Sequence, residues 1–229
     1  MKYTPSIAFD EMSGSAKGVT AAKVRGRKYI RNRGYGGSVR TSAQASVKSI
    51  FKQLSQSWKN LTNAQILAWN ALANTQAGKH VLGTSSKISG ANLYSRLNFW
   101  IVKCGGTALS TPPTLAGVDA PADATVVLSA SAFTFTLASI PADVSNLKLV
   151  ICASAPQGQG ITRAYSKAVQ IGDVRTVVNT AIDIKDDFIA AHGAASASSP
   201  KVFMKYFFVN TATGEKSGEQ MVLATFSAS

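Results

Sequence analysis

Residues 41–73 read TSAQASVKSIFKQLSQSWKNLTNAQILAWNALA, and two helix-start signals frame them. Thr41-Ser-Ala-Gln44 is a capping box, in which the threonine oxygen takes the amide of Gln44 while Gln44 reaches back. Behind it Val47, Ile50, Phe51, Leu54 and Trp58 recur at helical spacing. Thr62-Asn-Ala-Gln65 repeats the box, with Leu61 and Ile66 at the positions of a hydrophobic staple, and Ile66, Trp69, Leu72 and Ala73 make a second stripe. The short connection predicts a tight helical hairpin. After a polar loop over 76–88, Ser89 can cap a third helix carrying Leu93, Tyr94, Leu97, Trp100 and Ile101, which Gly105-Gly106 ends. The three tryptophans, one per helix, are expected to form one small core.

Downstream of Thr111-Pro112-Pro113 the period changes. Runs at 125–129, 133–137, 147–152, 164–169, 175–178, 202–209 and 221–226 are β-type and mostly separated by Gly, Pro, Asn or Asp. Seven short strands predict an immunoglobulin-like or fibronectin-III-like sandwich. Asn210 to Gly214 reads as the turn of its last hairpin. One helix interrupts, capped by Asp183, running over Ile184–His192 and stopped by Gly193, with Asp186 and Asp187 favouring its N-terminal dipole.

Upstream, residues 13–40 read SGSAKGVTAAKVRGRKYIRNRGYGGSVR, with eight cations, six glycines and no acid. Glycine disfavours a helix by about 1 kcal/mol per residue and the apolar content is thin. The stretch predicts an extended arm, ordered only where a partner holds it. Loose alternation from Val24 to Ile30 permits a strand added to a partner's sheet edge. The expected class is therefore α+β: an extended basic arm over 1–40, a three-helix segment over 41–106, a linker over 107–113 and an all-β sandwich over 114–229.

Charge separates these parts. Residues 1–105 carry 16 Lys and Arg against two acids, Asp10 and Glu11, for +14, whereas residues 106–229 carry eight against nine, for −1. Such asymmetry points to an attachment surface for an acidic or polyanionic partner. Two cysteines, Cys104 and Cys152, exclude a disulfide-stapled scaffold and read as buried free thiols. No run approaches the ~18 apolar residues of a membrane span. The start, Met1-Lys2-Tyr3-Thr4-Pro5, shows no apolar signal region, so no secretory leader and no membrane role are expected.

No catalytic constellation stands out. The two histidines are His80, in the polar loop, and His192, at a helix end, and no HExxH, GxSxG, P-loop or GxGxxG occurs. Asp183, Asp186 and Asp187 are explained by capping more simply than by metal binding. The chain is read as a non-enzyme without cofactor, metal or small-molecule substrate. The candidate binding residues are Lys23, Arg25, Arg27, Lys28, Tyr29, Arg31, Arg33 and Arg40. Arginine and tyrosine serve nucleic acid and protein interfaces alike, so both partners stay open on the residues alone; a solvated tail is the bland alternative.

Within Ser13–Ala73 stand Ser13-Gly14 and Gly18, Tyr29-Ile-Arg31-Asn-Arg33, Arg40-Thr41-Ser-Ala-Gln44, Phe51, Ser55-Gln-Ser-Trp58, Leu61-Thr62-Asn-Ala-Gln65 and Ala68-Trp69-Asn70-Ala71-Leu-Ala73. This string resembles a family of small accessory virion structural proteins of tailed bacteriophages, and with the sandwich it resembles an auxiliary capsid protein of a crAss-like phage. Where that family carries Asn-Pro before the capping threonine, Ser38-Val39-Arg40 stands here, while the mid-helix cation is kept as Lys48. The resemblance implies a decoration or cement protein, bound in many copies to the major capsid protein after assembly in the host bacterial cytoplasm, displaying its immunoglobulin-like domain. It also implies Tyr29, Arg31 and Arg33 as anchors and Trp58, Gln65 and Trp69 as scaffold. The alternatives are a DNA-binding packaging protein and a head-fibre or tail component with an adhesin-like module.

Overall fold

The computed structural model describes residues 12–16, 18–24, 27–34, 41–76 and 87–227. The chain divides into two compact units, residues 1–49 with 76–88, and residues 50–75 with 89–229.

In the first unit, β1 (Gly14–Ala16), β2 (Val19–Val24) and β3 (Arg27–Asn32) form an antiparallel sheet in that order. This corrects the expectation of an extended arm. The alternating run expected to join a partner's sheet pairs instead with the chain's own preceding strand, Ala22 opposite Tyr29 and Thr20 opposite Arg31. Gly18 turns β1 into β2, and its carbonyl accepts from the amide of Arg33 at 2.7 Å. Ladder pairing thus satisfies the backbone where apolar burial is scarce.

Helices α1 (Ser42–Lys59), α2 (Asn63–Thr75) and α3 (Gly90–Lys103) start where the capping signals place them. Thr41 Oγ1 accepts from Gln44 N at 3.3 Å. The second box is reciprocal: Thr62 Oγ1 accepts from Gln65 N at 3.3 Å and Gln65 Oε1 from Thr62 N at 2.9 Å. Ser89 Oγ accepts from Asn92 N at 3.2 Å. Gly105, at φ +87°, closes α3, with Gly106 N donating to Ile101 O at 2.9 Å and Gly105 N to Val102 O at 3.0 Å.

The tryptophans do not share one core. Trp58 and Trp69 each lie 5.2 Å from the ring of Tyr94 on α3, and Trp69 is fully buried. Trp100 turns the other way. α3 packs on two sides, so Tyr94 meets the tryptophans of α1 and α2 while Trp100 stands edge-on to Phe207 of the sheet at 5.4 Å.

That sheet is mixed and curled. Its members are β4 (Ala124–Ser129), β5 (Phe133–Leu137), β6 (Leu147–Ala153), β7 (Val169–Gln170), β8 (Arg175–Thr176), β9 (Ile182–Asp183), β10 (Lys201–Asn210) and β11 (Gln220–Ser227). The path runs β7-β6-β10-β11-β4-β5-β9, with β8 beside β6. Among its described strands every pairing is antiparallel except β4 with β11, which is parallel. The inner face buries Phe133, Phe135 and Leu137 of β5 against Leu149 and Ile151 of β6 and Met204, Tyr206 and Phe208 of β10. The outer face sets Val150, Phe207 and Val209 against Trp100, Cys104 and Cys152.

One strand expectation is corrected, and one short strand stands where only a helix cap was expected. The 164–169 run is mainly a 3-10 turn over Tyr165–Lys167, because the Tyr165 ring turns inward to Phe203 at 5.0 Å. Ile182–Asp183 pairs with Phe135 and Thr134 as an edge strand. Helix α4 (Lys185–His192) follows it and stops at Gly193. The N-cap is Ile184, without a side-chain cap bond, rather than the expected Asp183; Asp183, one residue earlier, instead closes a local turn, its Oδ1 accepting from Lys185 N at 2.9 Å.

The stretch 107–113 lies inside the second unit. Trp69 Nε1 donates to Ser110 O at 2.9 Å, and buried Asn98 accepts from Leu109 N at 2.6 Å while giving its own amide to Tyr94 O at 3.1 Å.

Candidate attachment surface

The sequence-derived candidates centre on the β2–β3 hairpin. Its register fixes which of them meet. Tyr29 and Arg31 lie on one face with Ala22 and Thr20, and there Ser15 Oγ and Thr20 Oγ1 are hydrogen-bonded at 2.8 Å. Lys28 lies on the opposite face, directly across from Lys23, beside Ile30 and Ala21. Strand alternation therefore splits the expected cluster into an arginine–tyrosine face and a lysine face. Arg33 is exposed just past β3. The backbone of Arg27 opens β3 opposite Val24. Arg25 and Arg40 lie outside the described residues, as do Tyr35 and His80.

Lys23 and Lys28 are opposed in the ladder, which sets two cationic side chains next to each other on that face. Among the described side chains of the three strands none is buried; Tyr29 and Ala22 are half-buried, Arg31 and Lys23 exposed. Three strands generally need one covered face to be stable, so docking a partner surface here would add burial as well as charge neutralisation.

Several titratable groups of the second unit have structural partners. Asp187 pairs with Arg175, whose Nη1 also donates to Asp183 O at 3.3 Å. His192 closes α4 with Nε2 3.0 Å from Ala153 O and its ring 5.5 Å from Phe188. Cys104 and Cys152 are free and half-buried, and burial pushes both thiols up, against the pull of nearby lysines. Lys103 is held below its usual range by burial; its ammonium bonds Gln170 and lies 5.3 Å from the centre of the Trp100 ring. Among the described residues no helix is long and apolar enough to cross a membrane.

Sequence reasoning passed over Arg96. This exposed side chain borders a cleft of about 330 Å³ between α3 and the β10–β11 turn. The available signal was Arg96 and Trp100 at i and i+4, neighbours on one helical face.

The chain matches no protein-family model and no curated protein sequence.

Proposed function

We propose that this chain is a non-enzymatic structural component of a tailed-phage virion, an auxiliary capsid protein that decorates the major capsid lattice in many copies. The observation that carries the reading is the +14/−1 division of charge, together with a small sheet that presents Arg31, Arg33, Lys23 and Lys28 near the start of the cationic half. The resemblance of Ser13–Ala73 to phage accessory virion proteins supplies the setting. Attachment runs through the basic segment, and the nearly neutral β lobe is displayed. An immunoglobulin-like identity for that lobe is favoured by its strand order. The first strand pairs antiparallel with the second and parallel with the last, so it links a β9-β5-β4 half to a β11-β10-β6-β7 half across a shared core.

The test is occupancy on particles. Full-length chain carrying Lys28→Glu, Arg31→Glu and Arg33→Glu is expected to fall in copy number on purified virions, while unchanged occupancy overturns the reading. A second reading, binding to DNA, is favoured by the absence of any Asp or Glu between Glu11 and Asp119. It requires tight duplex binding that weakens steeply between about 50 and 200 mM salt.

A further inference from the structure

The cleft beside α3 is lined by Arg96, Trp100, Val118, Gly214, Glu215 and Lys216, among others. Its charges are in unequal states. Glu215 is engaged twice, Oε1 accepting from Gly117 N at 3.1 Å and Oε2 from the Thr213 hydroxyl at 3.0 Å. Lys216 is engaged twice, 2.6 Å from Glu219 and 3.9 Å from the centre of the Phe207 ring. Arg96 takes part in no ion pair or hydrogen bond among the described residues. α3 contains no acid that could occupy it.

We infer that this cleft receives an acidic side chain from an extended segment of a partner polypeptide, with Arg96 as its anchor and Trp100 as an apolar wall. A guanidinium offers two parallel N–H donors that match a planar carboxylate, a fit a lysine lacks. The geometry argues for a chain rather than a free anion. Gly117 and Val118 also border a second cleft of about 310 Å³, lined further by Asp119, Pro141, Asp143, Asn146, Leu147 and Asn210, so the segment's acid belongs at the Arg96 end and its continuation past the two aspartates carries none. One small anion fills a corner of this groove, whereas an extended segment can run along it. Tryptophan and arginine are also the side chains most enriched among energetic anchors of protein interfaces. The groove lies at one end of the sheet, where the β5–β6 connection and the β10–β11 turn come together. The inference is separate from lattice attachment through the basic segment.

The test uses isotopically labelled full-length chain followed by NMR. The probes are acetyl-Glu-Leu-amide, sodium glucuronate and inorganic phosphate. The dipeptide is expected to move the Trp100 indole and the Gly214 and Lys216 amides saturably. The Trp69 indole, bonded to Ser110, should stay still and report that variants remain folded. Arg96→Gln is expected to weaken the dipeptide by at least ~10-fold, the loss typical of a hydrogen bond to a charged group, and Arg96→Lys to recover only part. No saturable shift, or equal affinity in Arg96→Gln, overturns the inference. Phosphate or glucuronate binding as tightly as the dipeptide overturns it too, in favour of a general anion or acidic-sugar site. Loss of particle occupancy in the Lys28, Arg31 and Arg33 variant leaves these shifts unchanged, so the two ideas fail independently.

Discussion

The carbonyl oxygen of Ser110 accepts the indole N–H of Trp69 across 41 residues of chain, at 2.9 Å. With Asn98 holding Leu109 from the other side, the passage from helices to sheet is fastened at two successive residues. Trp69→Phe removes the donor and part of a fully buried ring. Expected destabilisation is about 2–4 kcal/mol in urea unfolding, a hydrogen bond plus a partial cavity. Asn98→Ala strands the Leu109 amide and is expected to cost about 1–3 kcal/mol. Limited proteolysis of either variant should reveal a cleavage site within 107–113 that is slower in the native chain.

Gly214 and Gly117 separate two kinds of glycine requirement. Both have positive φ, +74° and +82°. A Cβ at Gly117 would meet nothing, whereas one at Gly214 would run into the backbone of Leu97. Gly117→Ala is expected to cost only the left-handed penalty, about 1–2 kcal/mol. Gly214→Ala must also push the β10–β11 turn off α3 and should exceed it clearly. Thermal unfolding of the pair measures the difference.

Glu219 lies 2.6 Å from Lys216 and 3.2 Å from Lys205. The hydrogen bond from Lys216 is the main cause holding its carboxyl below the ordinary glutamate range, partly opposed by burial. A depressed carboxylate contributes stability that is present above its unfolded pKa and lost as pH falls through the folded value. The stability gap between native chain and Glu219→Gln should thus be full near neutrality and close in acid. A gap constant with pH would mean the glutamine changes packing instead.

At the alkaline end the sign reverses. Burial raises the phenols of Tyr94 and Tyr206 and the thiols of Cys104 and Cys152. Groups with raised folded pKa values lend stability that is complete below their unfolded values and lost as pH climbs through the folded ones. Stability should decline from about pH 8.5 upward, where free thiols begin to titrate. Thiol alkylation at neutral pH should be slower in the folded chain than in urea, since the thiolate is the nucleophile.

The helical starts were legible because capping is local: a threonine and a glutamine three residues on carry the whole signal, and the structure shows the bonds at Thr41 and Thr62. The last hairpin was legible for a similar reason, since Asn210 Oδ1 accepts from Ala212 N and Thr213 N within one turn. The N-terminal sheet was not. Its glycines and cations mimic an unstructured tail, and only the register with Val19–Val24 shows that the Val24–Ile30 alternation finds its partner nearby. The 164–169 run misled because aromatic and β-branched composition does not distinguish a strand from a turn that packs a half-buried Tyr165 against Phe203. Trp100 misled because periodicity gives a helix's faces without saying how many neighbours it has. In the candidate surface, residue types were readable but their division between two faces was not, because alternation acts only once pairing is fixed.

β11 is the final strand of this sheet to leave the ribosome, yet it occupies an interior place, clasped by β10 on one side and by β4 on the other. Until residues 220–227 have emerged, the nascent lobe keeps two bare strand borders and an unsealed apolar interior. Its maturation therefore waits on residues 220–227, and a ribosome stalled ahead of residue 220 should display a protease-sensitive, chaperone-bound intermediate.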